Sequence, residues 1–228
     1  IPMKMPDFIR PHLGSLKPYE PIDPIEVLAE RAGISPEKVI KLDGNENPYG
    51  CSPRVQAALG RADSLHIYPD PLNREVRRLL ESYTGFPSES IAVGSGSDEL
   101  IDNLLRITLN PGDRVINCPP TFGMYPFSTH VCGGQTVSVP RKADFSLDVP
   151  AIESAVDGRT RAIFITSPNN PTGNLAPEGD ILRLLGMGLL VVVDEAYYEF
   201  AGETMAPHVR FHPNLVVLRT FSKWAGLA

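Results

Sequence analysis

The chain has 228 residues, with 21 lysines and arginines against 27 aspartates and glutamates, a formal net charge of −6 and 42% hydrophobic residues. That composition supports a globular core and excludes a disordered chain. Its mild acidity argues against a nucleic-acid binder, and no apolar run approaches the roughly 18 residues of a membrane-spanning helix.

Cys51, Cys118 and Cys132 are widely spaced and form no C-x-x-C pair, which favours reduced thiols over a disulfide framework or zinc site. Proline is the outlier at 23 residues, about twice its usual share. Ile1 to Pro6 contains no signal-peptide core. Six prolines fall within residues 1–24, predicting an extended arm laid over another surface, because proline fixes φ and removes a donor. A short helix is expected from Asp23 to Ala32, stopped by Gly33, with a second start at Ser35-Pro36-Glu37-Lys38. From Lys41 the texture changes, so residues 1–40 read as an arm with short helices and 41–228 as one large domain. Leu42 to Gly50 is a polar loop.

Helices are expected over Arg54–Leu59 and Asn73–Ser82, then an apolar strand at Ile91-Ala92-Val93. Ser97-Asp98-Glu99 opens a helix that carries Leu100, Ile101, Leu104, Leu105 and Ile107. Further strands are read at Arg114–Cys118, Thr136–Val139, Ala162–Thr166, Leu189–Val193 and Leu215–Leu218. Helices are read at Phe122–Val131, Ile152–Val156 and Glu178–Leu185. Strands such as Leu189 to Val193 are apolar at every position, which means burial on both faces. The fold class is therefore α/β: a doubly wound, mostly parallel sheet with helices on both faces, preceded by the arm.

In such sheets ligands bind beyond the carboxyl ends of the strands. Those ends carry Gly94 to Asp98, Pro119 to Phe122, Ser167 to Gly173, Asp194 to Tyr197, and Thr220 to Lys223. The first leads into a helix N-terminus, which suits a phosphate but also an ordinary cap. Asp194 follows five apolar residues and needs a partner to stay ionised, either a protonated ring nitrogen or a structural cation. Lys223 follows an apolar strand. In a desolvated site it becomes a nucleophilic amine, and otherwise it is a surface lysine. A Rossmann fingerprint is not supported because position 99 is Glu, and neither a Walker loop nor a Gly-x-Ser-x-Gly elbow occurs. His208 and His212 lack an intervening acid, so no metal site is read there. Gly133-Gly134 reads as a turn and Trp224 as packing.

Asn170-Pro171-Thr172-Gly173, Asp194-x-x-Tyr197 and Ser222-Lys223 resemble the signature of fold-type I aminotransferases that use pyridoxal phosphate (PLP). Lys41 to Gly50, Tyr68-Pro69-Asp70-Pro71, Cys118 to Tyr125 and Arg219 to Lys223 most resemble the histidinol-phosphate branch of that family. The resemblance runs from about Pro11 to the last residue. It implies a PLP-dependent transferase-like large domain and the conversion of L-histidinol phosphate and 2-oxoglutarate to imidazole acetol phosphate and L-glutamate.

The resemblance also implies roles. Lys223 would carry the cofactor and shuttle the substrate proton, Asp194 would hold the pyridine nitrogen, and Asn170 and Tyr197 would bind the phenolic oxygen. Phe122 would stack on the ring, where many relatives have Tyr. Ser97, Asp98, Thr220 and Ser222 would hold the phosphate. Tyr68 would reach the site across a homodimer interface, Tyr19 and Asn47 would lie near the substrate, and the proline-rich arm would cover the site or the partner subunit. A cytoplasmic location is implied, with plastid stroma as the alternative.

The sequence ends five residues past Lys223. The family's C-terminal small domain and its two arginines, for cofactor phosphate and substrate carboxylate, are therefore expected to be missing from these residues. The helix after the last strand is expected to be cut at its first turn. Two other readings remain: a fold relative or lyase acting on another amino acid or amine phosphate, and a PLP-binding fragment inactive by itself. The effector portion of a transcription regulator would need a DNA-binding segment, and residues 1–40 show neither basic clustering nor a helix-turn-helix pattern.

Overall fold

The computed structural model describes residues 8–17 and 22–228. Tyr19 lies outside the described residues. Five strands form one sheet: β1 (Arg114–Asn117), β2 (Gln135–Ser138), β3 (Thr160–Thr166), β4 (Leu190–Asp194) and β5 (Leu215–Leu218), in the order β2-β1-β3-β4-β5. Every pairing is parallel. Parallel neighbours need crossovers, and the helices α4 (Gly96–Thr108), α5 (Met124–Val131), α6 (Val149–Ala155) and α7 (Glu178–Leu185) lie along the connections or just ahead of them.

Strand alternation sorts the core into two layers. Ile163, Ile165, Val191 and Val193 face Val149 and Ile152 of α6 and Ile181, Leu184 and Leu185 of α7. Ala162, Phe164 and Val192 face the other way, onto Ile101 and Leu105 of α4 and Tyr125 of α5. Each fully buried side chain of this size contributes about 1.5–3 kcal/mol, so the central strands β3 and β4 anchor the fold. The double burial explains why these strands read as continuous apolar runs.

Local signals set the helix ends. Asp148 caps α6, its Oδ1 accepting from the Ala151 N–H at 3.2 Å. Ahead of the sheet lie α1 (Ile25–Ala32), α2 (Pro53–Leu59) and α3 (Arg74–Thr84). Gly33 stops α1 at φ +64°, which a side chain would strain. A short helix α8 (Tyr198–Ala201), unforeseen in the sequence, follows β4.

Three expectations are corrected. Ile91-Ala92-Val93 is not a strand: Ile91 is extended (φ −114°, ψ 124°), but the segment pairs with no described strand. Three apolar residues favour extended dihedrals without specifying a neighbour. The arm is also not extended throughout, because Pro11–Ser15 forms a turn of 3-10 helix with Pro11 in its first position. That turn docks on the end of α5 rather than on the strand ends. The Arg10 guanidinium donates to the Val131 carbonyl at 2.8 Å, and His130 Nε2 lies 2.7 Å from the His12 carbonyl. Residues 219–228, after β5, form no helix.

Candidate active site

Because all five strands run the same way, the residues following β3, β4 and β5 open on one edge of the sheet. A cleft of about 530 Å³ lies there, with Asn47, Asn170, Tyr197 and Lys223 in its walls. The loop 42–50 forms the opposite wall. Lys223 Nζ donates to the Gly44 carbonyl at 3.3 Å, Asn45 Nδ2 donates to the Tyr197 hydroxyl at 2.9 Å, and Asn47 Nδ2 donates to the Trp224 carbonyl at 2.9 Å. Gly226 closes this contact: at φ +63° an added Cβ would sit 2.6 Å from the Gly50 oxygen.

Asp194 ends β4 and is 3% exposed. Its Oδ2 accepts from the Tyr125 hydroxyl at 2.6 Å and its Oδ1 from the Ala196 N–H at 3.1 Å. Burial raises its carboxyl above the ordinary 3.8. Those two donors and the Lys223 charge oppose the rise, while Asp98 adds to it. Burial likewise raises Asp98, with Lys223 opposing. Asp98 and Asp194 thus both feel the Lys223 charge across the site. Burial also raises the Tyr197 phenol, against the Asn45 hydrogen bond. Lys223 Nζ stands 6.0 Å from the centre of the Tyr197 ring.

Of the remaining anticipated residues, Tyr68 stands apart from this centre. Ser97 and Asp98 lie in the first turn of α4, where no helix carbonyl can reach their N–H groups. The Thr220 and Ser222 hydroxyls are 2.9 Å apart just before Lys223. Phe122 packs edge-on against Tyr125, with ring centroids 5.6 Å apart. Tyr68 is 98% exposed and does not line the cleft of its own chain. His208 pairs with Glu178 at 3.1 Å, and among the described residues no group of three potential ligands gathers for a metal.

Four participants were not singled out from the sequence. Tyr125 holds Asp194, and Asn45 holds Tyr197. Glu195, 1% exposed, accepts from Thr204, from the Met205 N–H and from Arg219 at 3.1 Å. Arg219 in turn lies 3.6 Å above the Tyr198 ring and ties the end of β5 to the end of β4. The available signals were adjacency, since each lies within three residues of a residue already chosen, and, for Asn45, Tyr125 and Arg219, membership of the stretches that carry the family resemblance.

The sequence profile of the family described as aminotransferase class I and II matches residues 37–228. The chain belongs to that family. Among its relatives, the chloroplastic histidinol-phosphate aminotransferase of Nicotiana tabacum is 51% identical over 223 residues, covering 97% of this chain and 54% of that protein. Histidinol-phosphate aminotransferase from Roseiflexus castenholzii is 48% identical over 235 residues, covering 100% of this chain and 63% of that protein. The chain therefore spans about half to two thirds of the curated relatives it matches. Among solved structures, histidinol-phosphate aminotransferase from Sinorhizobium meliloti in complex with pyridoxal-5'-phosphate aligns at a TM-score of 0.82 and 27% identity, over 96% of this chain and 60% of that one. An aspartate aminotransferase double mutant from Thermus thermophilus aligns at 0.80 and 23% identity, covering 96% and 62% of the two chains, and so shares the fold.

Proposed function

We propose that residues 41–228 are the cofactor-binding large domain of a PLP-dependent aminotransferase. The proposed reaction converts L-histidinol phosphate and 2-oxoglutarate to imidazole acetol phosphate and L-glutamate. The observation that carries this reading is the placement of a buried carboxylate, Asp194, and a lysine amine, Lys223, at and beyond neighbouring strand ends, with Lys223 in the wall of the cleft.

The donor set fits the cofactor. Asp194 is buried against two neutral donors and, among the described residues, has no direct cationic partner, a place that a protonated pyridine nitrogen would fill. The free N–H groups of Ser97 and Asp98 and the hydroxyls of Thr220 and Ser222 suit a phosphate. Asn170 and Tyr197 present an amide and a phenol from one wall. Phe122 offers a ring face for stacking. Bound there, PLP supplies a carbonyl for amine exchange and a ring that delocalises the electron pair left when the substrate Cα–H bond breaks.

The chain's own residues do the rest. Lys223, whose Nζ donates to the Gly44 carbonyl, would hold the cofactor and would move the proton from the substrate carbon. Asp194 keeps positive charge at the ring nitrogen, and Asn47 holds the loop that closes over the substrate. Tyr68 extends to the site of a second copy in a homodimer, as its exposure favours. Tyr19 is proposed at the substrate from the family resemblance alone. The relatives include chloroplastic and bacterial forms, and the bacterial-type cytoplasmic location is the one proposed.

The test uses the full-length protein. PLP should acquire the visible absorbance of a lysine-bound cofactor, and Lys223→Ala should lose it. Half-transamination should proceed with histidinol phosphate over phenylalanine and aspartate. A wild-type protein without that absorbance rejects the cofactor, and preference for either of the other amines rejects the substrate.

A further inference from the structure

We propose that the hydroxyls of Thr121, Thr166 and Tyr125 form a relay that makes Asp194 hold a proton until a basic nitrogen is placed beside it. The relay starts from one fixed orientation. Arg141, a buried cation paired with no carboxylate among the described residues, donates through Nη2 to Asn169 Oδ1 at 3.0 Å. Asn169 Nδ2 donates to the Pro120 carbonyl at 3.0 Å and to Thr172 Oγ1 at 2.7 Å. Flipping the amide would set its NH₂ against the guanidinium and its oxygen against a carbonyl. Oδ1 is therefore an acceptor in place.

From Asn169 the contacts run inward. Thr121 Oγ1 lies 3.0 Å from Asn169 Oδ1 and 3.0 Å from Thr166 Oγ1. Thr166 Oγ1 lies 2.8 Å from the Tyr125 hydroxyl, which lies 2.6 Å from Asp194 Oδ2. The β3–β4 register sets this up by placing Thr166 beside Asp194. Four oxygen–oxygen contacts thus share the protons of three hydroxyls. Both ends are acceptors when Asp194 is ionised, so one contact must then bring two lone pairs together. A proton on Asp194 Oδ2 completes the set: Asp194 donates to Tyr125, Tyr125 to Thr166, Thr166 to Thr121 and Thr121 to Asn169. Tyr125, Thr166 and Asn169 are 0%, 2% and 2% exposed and Thr121 is half-buried, so the inner contacts of the relay are sealed from water.

The other groups facing Asp194 are Asp98 from α4, Lys223 after β5 and Tyr197 beyond β4. Asp98 favours the proton and Lys223 opposes it. When a basic nitrogen arrives, Asp194 gives up the Oδ2 proton to it. The hydroxyls then rotate so that Tyr125 donates to the carboxylate, and the new ion pair offsets the contact left without a proton. This inference rests on the cofactor reading only for the identity of that nitrogen.

The test titrates Asp194 in the full-length apoprotein, by the infrared carboxylic-acid band of isotope-labelled aspartate that disappears in Asp194→Asn. Thr166→Val and Thr121→Val each remove one hydroxyl and two contacts, so the remaining protons suffice with Asp194 ionised. Both should lower the midpoint, by about one pH unit for one hydrogen bond. Tyr125→Phe removes the donor itself and should raise it. Burial alone predicts the opposite for the valines, because they make the surroundings more apolar. Thr166→Ser keeps the hydroxyl and should titrate like wild type, and serves as the folding control. An unchanged or raised midpoint in both valine variants overturns the relay, as does a lowered one in Tyr125→Phe. Since no PLP is present, a protein that shows these shifts and fails to bind PLP refutes the proposed function and leaves the relay standing.

Discussion

Asp194 is the residue on which stability and the proposed chemistry pull in opposite directions. Its carboxyl is raised above 3.8 by burial, so the folded state binds a proton more tightly than the unfolded chain. A raised acid contributes stability that is fully present below the unfolded value and is lost as pH rises through the folded value. The apoprotein should therefore lose stability on that interval, and Asp194→Asn should flatten the loss while abolishing cofactor retention. Urea midpoints across a pH series check this: a variant that keeps the full wild-type slope would contradict it. Lys223 and Asp194 were legible in the sequence because a charged residue after an apolar strand is conspicuous. Tyr125 was not, because its role depends on where α5 lies over β3 and β4, and nothing local encodes that. Tyr68 was legible only through resemblance, since in one chain it touches nothing that explains it.

Among the elements, the ends of β4 and β5 are joined by one buried ion pair. Arg219 and Glu195 meet at 3.1 Å, with side chains 18% and 1% exposed. Removing the guanidinium leaves a carboxylate inside the protein with only Thr204 and a backbone N–H to satisfy it. Arg219→Ala should cost about 3 kcal/mol at neutral pH. The penalty should shrink as pH falls, because burial already raises Glu195 and a protonated side chain no longer needs the cation. Denaturant unfolding at two pH values measures both effects, and a penalty independent of pH would count against this account. The strands themselves were readable at this scale, because burial on both faces makes the middle of β3, Ala162 to Ile165, and of β4, Leu190 to Val193, apolar at every position. Ile91-Ala92-Val93 has the same composition and forms no strand, since hydrophobicity marks a segment as extended without choosing its neighbour. The prolines were likewise read as an arm, but its docking on α5 depends on Arg10 and His130, which composition does not reveal.

For the whole molecule, the question is what meets the apolar side chains left in the open. Leu42, Tyr49, Leu65 and Tyr68 are each more than four-fifths exposed, all between residues 42 and 68. In the proposed homodimer a symmetric interface covers such surface and lends Tyr68 to the opposite site. Mixed subunits test the exchange. Tyr68→Ala and Lys223→Ala homodimers should each be impaired. Random reassortment of equal amounts should restore about a quarter of wild-type activity, because half the dimers are mixed and each has one intact site. Mixtures no better than the average of the two variants would reject the shared site.

The contacts that enclose Lys223 span most of the sequence. Asn45 and Tyr197 are 152 positions apart, Asn47 and Trp224 are 177, and Gly44 and Lys223 are 179. Closing loops of that length is entropically costly until the sheet between them exists. On the ribosome, the loop 42–50 emerges long before the lysine it will face. The lysine pocket thus closes only once the sheet between its parts has formed, so the proposed cofactor meets walls that the sheet has already brought together.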